Sequence, residues 1–228
     1  MQSIPLDGFG EAIVAGEEAH HAVRVKRVGA GERVELIDGQ GGWAIGQVAS
    51  VSPGKNPVVA LRIHESGVEP RPESRIEVWT ACPRPERLEQ MIDQLSQVGA
   101  HGWRPLLTRR SEHELTAARR SRLGRIAVEA AKQCGRRWLL GLGEPIEFGA
   151  AVCDARAVFA DASGSMPVSV KPGGICVCIG PEGGWHDDER DAIAASGRAT
   201  WRLGPHTMRL ETAAVAGALA AVSPTHAR

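Results

Sequence analysis

The stretch Ile-Gly-Pro-Glu-Gly-Gly-Trp at residues 179–185 constrains the fold of this chain more than any other segment. It leaves an apolar run, residues 175–179, typical of a strand covered on both faces, and precedes an acidic segment of helical character. Three glycines and a proline in six residues suit neither a strand nor a helix, so a shaped loop is predicted. Ligands of open α/β sheets bind at such strand-to-helix loops. The stretch matches neither a phosphate-binding loop nor the dinucleotide fingerprint, and a tight structural turn is the alternative interpretation.

A second loop of the same kind lies at residues 203–213, where Leu-Gly-Pro again follows a short apolar strand and precedes a helix. Glu211 and Thr212 fall in the first helical turn, where they can act as a cap and as partners of the helix dipole. Small residues dominate residues 213–220, so another element can approach this helix closely. Core packing, a chain threaded past the helix and a subunit interface all fit this pattern.

Strand and helix patterns alternate from residue 76 to the C-terminus, which predicts a parallel sheet covered by helices on both faces. The predicted strands are residues 76–82, 103–107, 157–161, 175–179 and 200–203. The predicted helices are residues 86–98, 117–134, 187–196 and 211–222, with Gly99 at the position of a terminating glycine.

The first third of the chain has a β pattern instead. Residues 33–38, 43–51 and 58–64 predict strands joined by turns rich in glycine and proline, which suggests a small barrel. Residues 17–25 predict a short helix that ends in a basic tip. Residues 66–74 contain two prolines, a glycine and charges, and predict a linker. We therefore expect two domains, residues 1–68 and residues 74–228.

The net charge of the 228-residue chain is zero, but the charges are unevenly distributed. Residues 101–140 carry ten lysines and arginines against three glutamates. Such a segment can bind a polyanion locally although the whole chain is neutral. A solvated helix face explains the same charges equally well.

The five cysteines are odd in number and irregularly spaced, which argues against a disulfide framework. Cys176 and Cys178 share one face of a strand and are predicted to be small core residues. We see no further thiol or histidine at finger-like spacing, so no metal is expected. The N-terminus has neither a basic start nor an apolar run, and we expect a cytoplasmic protein without a membrane span.

Five segments in the same order resemble the RsmE-type ribosomal RNA uridine-N3 methyltransferases of the SPOUT superfamily. They are residues 179–184, residues 203–213, residues 129–136, residues 20–25 and residues 37–42. The resemblance covers nearly the whole chain. It implies a SPOUT methyltransferase domain with a C-terminal trefoil knot, preceded by a PUA-like β-barrel that binds RNA.

The resemblance also implies the chemistry and the residues that perform it. The cofactor would be S-adenosyl-L-methionine, held bent between the two loops. Its contacts would be Ile179, Gly180, Glu182, Gly183, Leu203, Gly204, Met208 and Leu210. The substrate would be a uridine in small-subunit (16S) ribosomal RNA, and the enzyme would form a homodimer through the helices at residues 88–98 and 213–222.

Uridine N3 carries a proton and is a poor nucleophile, so the site must stabilise a uracil anion or remove that proton. Arg209 is the candidate cation and Glu211 its catalytic neighbour; Arg209 could instead bind phosphate or pair with Glu211. Glu182, Glu211 and His206 are all possible general bases. The RNA backbone contacts would be Arg24, Lys26, Arg27, Arg109, Arg110, Arg136 and Arg137.

This chain departs from the family pattern at several positions. Pro83-Arg84-Pro85 replaces the family's Pro-Lys-Gly, Gln94 and Gln97 replace a lysine and a glutamate, and His206 replaces an arginine. Leu210 stands where the family has a threonine. These changes bear on substrate identity and rate more than on cofactor binding.

Two alternatives remain open: a SPOUT enzyme for another RNA or base atom, and a non-catalytic RNA-binding paralogue. A small-molecule methyltransferase of the Rossmann type is disfavoured, because residues 81–85 offer no early glycine-rich turn. The sequence does not name the target nucleotide, nor whether it is methylated in free RNA or in the assembled subunit.

Overall fold

The computed structural model describes residues 10–111, 115–167 and 173–222, and the chain divides into two compact units, Met1–Arg71 and Pro72–Arg228. Glu112 and Glu114 of the basic segment and the first nine residues lie outside the described residues.

The first unit is one antiparallel sheet with a short helix. Its elements are β1 (Gly10–Val14), α1 (Gly16–His20), a π-helical turn (His21–Lys26), β2 (Arg33–Ile37), β3 (Gly42–Ser52) and β4 (Val58–Val68). The strand order is β1-β4-β3-β2. Alternate residues of β3 and β4, including Val48, Leu61 and Ile63, are buried and form a small core with Ala19 of α1. Closure of this sheet into a barrel stays a prediction.

Two predictions for this unit are wrong in detail. The segment predicted as a linker from residue 66 begins inside β4, because Ser66 and Val68 pair with Ala44 and Gly42 of β3. Gly67 lies against the indole of Trp43, where a Cβ would come within 2.9 Å of the ring. The predicted helix at residues 17–25 begins at Gly16 and changes to π geometry at His21.

The second unit alternates strands and helices around a parallel sheet, as predicted. The elements are β5 (Ile76–Thr80), α2 (Pro85–Gln97), β6 (Gly102–Leu107), α3 (Ala117–Cys134), β7 (Gly141–Leu142), β8 (Ile146–Glu147), α4 (Phe148–Cys153), β9 (Ala157–Ser165), β10 (Ile175–Ile179), α5 (Asp187–Ser196), β11 (Ala199–Trp201) and α6 (Leu210–Val222). The strand order is β11-β9-β10-β5-β6-β7, with β8 also paired to β6. Gly99 has φ +88° just after α2, which confirms the predicted terminating glycine.

Burial of β10 on both faces organises this unit. All five of its residues are buried, between β9 on one side and β5 on the other. Val177 and Ile179 belong to the core cluster that contains residues of α2 and α6. Cys176 and Cys178 belong to a second cluster with Trp79, Phe159 and Trp185, so the prediction that both are core residues is confirmed.

Helix α6 lies very close to the sheet. A Cβ on Gly217 would come within 2.8 Å of Val177 Cγ1, so only glycine permits this approach. Ala214, Ala218 and Ala221 of the same helix are fully buried. Of the three interpretations of the small residues, core packing is therefore the one that these side chains support.

The chain places its strand-order reversal at β5. The chain first places β6 on one side of β5, and it later places β9 and β10 on the other side of β5. In open α/β sheets the crevice beside such a reversal, at the carboxyl ends of the strands, is where ligands bind. In this unit the ends of β5 and β10 lie there, joined by a hydrogen bond from Ala81 N to Ile179 O (3.4 Å).

A buried hydrogen bond offers a test of this core. Trp103 Nε1 donates to Thr80 Oγ1 over 3.0 Å, and both side chains are 0% exposed. We expect Trp103→Phe to lower the free energy of unfolding by about 2 kcal/mol or more, because the hydroxyl loses its donor and the smaller ring leaves a cavity. Urea denaturation measures this change.

The matched control is Thr80→Val, alone and combined with Trp103→Phe. Removing both polar partners should cost less than the sum of the two single changes. Fully additive losses would mean that the hydrogen bond contributes little to the stability of the core.

Candidate functional site

Two loops lie at the carboxyl edge of the parallel sheet. The glycine loop, residues 180–186, follows β10, and the second loop, residues 203–209, follows β11. β11 is separated from β10 by β9, yet the second loop leads into α6, which packs on β5 and β10. The second loop therefore crosses back over the sheet toward the glycine loop.

The glycine loop is shaped around the indole of Trp185. A Cβ on Gly180 would lie 3.1 Å from Trp185 Cε2, tighter than normal packing allows. The indole is held in place, because its Nε1 donates to Ala160 O (2.9 Å) and its ring packs against Phe148 and Phe159. Gly184 closes the loop with φ +69° and a hydrogen bond from its nitrogen to Pro181 O (2.8 Å).

The turn after β6 contacts this loop. Arg110 Nη1 donates to the carbonyl oxygens of Gly183 and Trp185. The neighbouring Arg109 forms an ion pair with Asp188 Oδ2 (3.2 Å) at the start of α5. Both arginines were predicted as RNA contacts from the sequence, and their interactions with the loop and helix were not foreseen.

Glu189 joins the same turn to the start of α5. It is only 3% exposed, and its two oxygens accept from the backbone nitrogens of Arg109 (2.9 Å) and His186 (2.8 Å). The sequence predicted an acidic first turn that favours the helix dipole, and His186 with Glu189 does form a capping box. Sequence reasoning missed that Glu189 also accepts a hydrogen bond from a second segment, the turn after β6.

The second loop is mostly exposed but has a half-buried base. Leu203, Gly204 and Met208 are half-buried, and a Cβ on Gly204 would stand against the end of the Met208 side chain. The two predicted contacts at the ends of the loops, Ile179 and Leu210, are each 3% exposed. Their side chains belong to the core, so a ligand could reach only their backbone atoms.

The two predicted catalytic residues have opposite environments. Arg209 is exposed, and within the described residues it forms no ion pair. Glu211 is 8% exposed; its Oε1 lies 3.6 Å from Arg87 Nε, and its Oε2 is enclosed without a hydrogen-bond partner. In this structure Glu211 pairs with Arg87 and not with Arg209, and Arg87 is a partner that sequence reasoning missed.

The other candidate residues lie outside this cluster or at its surface. Glu182 and His206 are exposed on the two loops. Arg136 is half-buried and donates to Ser96 O (3.0 Å) at the end of α2, and Arg137 beside it is also half-buried. In the first unit the three predicted RNA contacts form an exposed basic tip on the π-helical turn: Arg24, Lys26 and Arg27.

Within the described ranges there is no group of three or more His, Cys, Asp or Glu side chains that could hold a metal ion. Across those same ranges, no helix combines the length and the apolar character needed to cross a membrane.

Comparisons with known proteins agree with the two-unit organisation. The family model of the RNA methyltransferase domain matches residues 69–223, and the model of the RNA methyltransferase PUA domain matches residues 14–58. The predicted resemblance is therefore confirmed.

Curated relatives named ribosomal RNA small subunit methyltransferase E match most of the chain. The Synechocystis protein is 28% identical and covers 86% of this chain and 67% of its own length. The Mycobacterium tuberculosis protein is 30% identical and covers 92% and 85%. A solved structure of the Neisseria gonorrhoeae protein bound to S-adenosyl methionine has a TM-score of 0.80, covers 95% of this chain and 93% of its own, and at 20% identity shows the shared fold.

Thiol reactivity tests the environment of Cys82, which follows β5 at this edge. Burial raises the pKa of Cys82 to about 11, although the nearby Arg119 opposes the shift, and burial also raises the pKa values of Cys176 and Cys178. At pH 8 roughly one Cys82 thiol in a thousand is then ionised. Iodoacetamide should therefore modify the exposed Cys134 and Cys153 first, as mass spectrometry of the folded protein would show.

Denatured protein provides the control, because all five thiols should then react. Rapid modification of Cys82 in the folded protein at pH 8 would contradict its buried, protonated state.

Proposed function

The chain belongs to the RNA methyltransferase family, and on that basis we propose that it uses S-adenosylmethionine to methylate N3 of a uridine in small-subunit ribosomal RNA. The proposal depends on one observation above all: Arg209, which forms no ion pair within the described residues, stands on a loop at the same carboxyl edge of the sheet as the glycine-rich loop. The names of the relatives support ribosomal RNA as the substrate class. The choice of uridine N3 comes from the motif resemblance.

The two loops fit an adenosine-containing ligand. Such a ligand needs a flat apolar slot lined by backbone donors and acceptors, and residues without a Cβ allow that backbone to approach. A Cβ on Gly180 would crowd the Trp185 ring, and a Cβ on Gly204 would meet the flexible end of the Met208 side chain. Met208 is flexible, so it can move to cover a bound ring.

The residues that would hold the cofactor are those predicted from the sequence. They are Ile179, Gly180, Glu182, Gly183, Leu203, Gly204, Met208 and Leu210. Ile179 and Leu210 would contribute backbone atoms only, because their side chains are buried. When bound, the sulfonium group of the cofactor supplies a methyl group that a nucleophile can take without help from a metal.

Arg209 would make the uridine a better nucleophile. When the N3 proton leaves, negative charge spreads onto the two base oxygens, and a guanidinium beside them lowers the energy of that anion. Arg209 is suited to this because no carboxylate of the described residues neutralises it.

We assign acceptance of the N3 proton to Glu211. Its Oε2 has no hydrogen-bond partner, so this carboxylate retains capacity for a donor such as the N3–H group. The Oε2 atom is enclosed, so the N3–H group would reach it only after a neighbouring side chain moves. Arg87 would be that side chain, because it lies beside Oε1 of the same carboxylate and is 33% exposed. Glu182 and His206 lack comparable enclosure, since both are exposed.

The phosphate backbone would be held by arginines and lysines of both units. The basic tip at Arg24, Lys26 and Arg27 is exposed. Arg109, Arg136 and Arg137 would complete this set; Arg110, also predicted from the sequence, donates to the glycine loop instead. The target base would have to leave its stack to reach the loops. The trefoil knot and the homodimer implied by the resemblance stay predictions.

The direct test is transfer of labelled methyl groups from S-adenosylmethionine to small-subunit ribosomal RNA, offered free and as the assembled subunit. Nuclease digestion and mass spectrometry identify the product, which we expect to be 3-methyluridine. A different methylated nucleoside would favour the enzyme with another target. RNA binding without any transfer would favour the non-catalytic paralogue.

Variants of the two catalytic candidates separate chemistry from binding. Arg209→Ala should lower kcat by about 100-fold or more, because the anion loses its cation, while the Kd for S-adenosylhomocysteine stays within twofold. Glu211→Gln should also lower kcat, and Arg202→Ala, an exposed arginine just before the second loop, is the matched control. Wild-type kcat in either candidate variant would exclude the role given to that residue.

The salt dependence of RNA affinity tests the basic tip. Replacing Arg24, Lys26 and Arg27 together by alanine removes three cations, and the slope of log affinity against log salt should become shallower by about 2. Filter binding at salt concentrations from about 50 to about 200 mM measures this slope. An unchanged slope would show that the tip does not contact phosphate.

A further inference from the structure

The turn at residues 108–111, directly after β6, forms a hydrogen-bonded bracket. Thr108 N donates to Ser111 Oγ (3.0 Å), and Ser111 N donates to Thr108 O (3.1 Å). The hydroxyl groups of Thr108 and Ser111 lie 2.9 Å apart, and Ser111 Oγ donates to Leu106 O of β6 (3.3 Å). The turn is therefore anchored to the sheet independently of the loops that it touches.

From this bracket, Arg110 reaches the glycine loop at two points. Its Nη1 donates to the carbonyls of Gly183 and Trp185, which flank the left-handed Gly184. Arginine suits such a task, because its planar guanidinium is pre-organised and always charged. Hydrogen bonds from a charged donor are also stronger than neutral ones.

Glu189 makes a second connection between the bracket and the end of the same loop. One carboxylate oxygen accepts from Arg109 N in the bracket and the other from His186 N, the last residue of the glycine loop. The side chain is almost fully buried, so losing either bond would leave a buried polar group unsatisfied. The bracket thus holds the loop near its middle and at its end.

We propose that Arg110 is a positioning residue for the glycine loop, acting on cofactor affinity through Gly183 and Trp185 rather than through RNA phosphate. A loop with three glycines has many accessible conformations, and binding a ligand must select one of them. External bonds that hold the loop before binding reduce that entropic cost. The inference rests on the proposed function, since it assumes that this loop binds S-adenosylmethionine.

The experiment compares Arg110→Ala and Arg110→Lys with wild type by calorimetric titration of S-adenosylhomocysteine. Arg110→Ala should weaken binding by about tenfold, the loss expected for a charge-assisted hydrogen bond. Arg110→Lys should recover part of it, because an ammonium keeps the charge and the donors but lacks the rigid guanidinium that fixes the position of Nη1. Arg122→Ala, which removes another exposed arginine from its ion pair with Glu89, is the control and should bind like wild type.

Two further measurements distinguish positioning from RNA contact. In the ligand-free protein, hydrogen exchange at residues 180–186 should be faster in Arg110→Ala, while α6 is unchanged. In methyl transfer, the KM for S-adenosylmethionine should rise by about tenfold with kcat within about twofold of wild type. Glu189→Gln should act in the same direction, because an amide has one acceptor oxygen where the carboxylate uses two.

The outcomes separate this inference from the proposed function. Wild-type protein with no affinity for S-adenosylhomocysteine would overturn the proposed function itself. Normal wild-type binding that is unchanged in Arg110→Ala, with a raised KM for RNA alone, would overturn only the positioning role. Equal weakening in Arg110→Ala and Arg122→Ala would overturn it as well.

Discussion

The larger unit depends on the burial of β10, which β9 and β5 flank within the sheet and two core clusters cover on its two faces. A parallel strand covered on both faces can carry no charge along its length, so polar chemistry must lie beyond its end. All five of its residues are apolar and buried, and the chain turns to glycine, proline and glutamate directly after Ile179. The position of the glycine loop follows from that change.

Close packing of α6 against this strand brings the second loop to the same edge. Gly217 allows the helix to approach Val177 at a distance that a larger residue would forbid. The helix begins at Leu210 and Glu211, so its placement also determines where Arg209 stands. The small residues of α6 thus help to determine the position of Arg209, although they take no part in the proposed chemistry.

The regular elements were predictable because each has a strong local pattern. The helix at residues 117–134 has the predicted bounds, with Thr116 capping its start through a bond from Arg119 N. The elements that were not predicted depend on distant partners. Among the described residues β1 pairs with β4 at the edge of its sheet, β7 and β8 are two residues each, and α4 is six residues, too short for a clear helical period.

The sequence by itself determined the order of the longer strands and helices and the two glycine-containing loops, because apolar spacing and backbone freedom are local properties. The candidate residues on those loops came from the resemblance of their motifs to a known family. Only the tertiary structure decided the partners of those residues. It paired Glu211 with Arg87 of α2, left Arg209 exposed and directed Arg110 to the glycine loop. Such pairings join segments far apart in the chain, and they form only when the sheet has brought its carboxyl ends together.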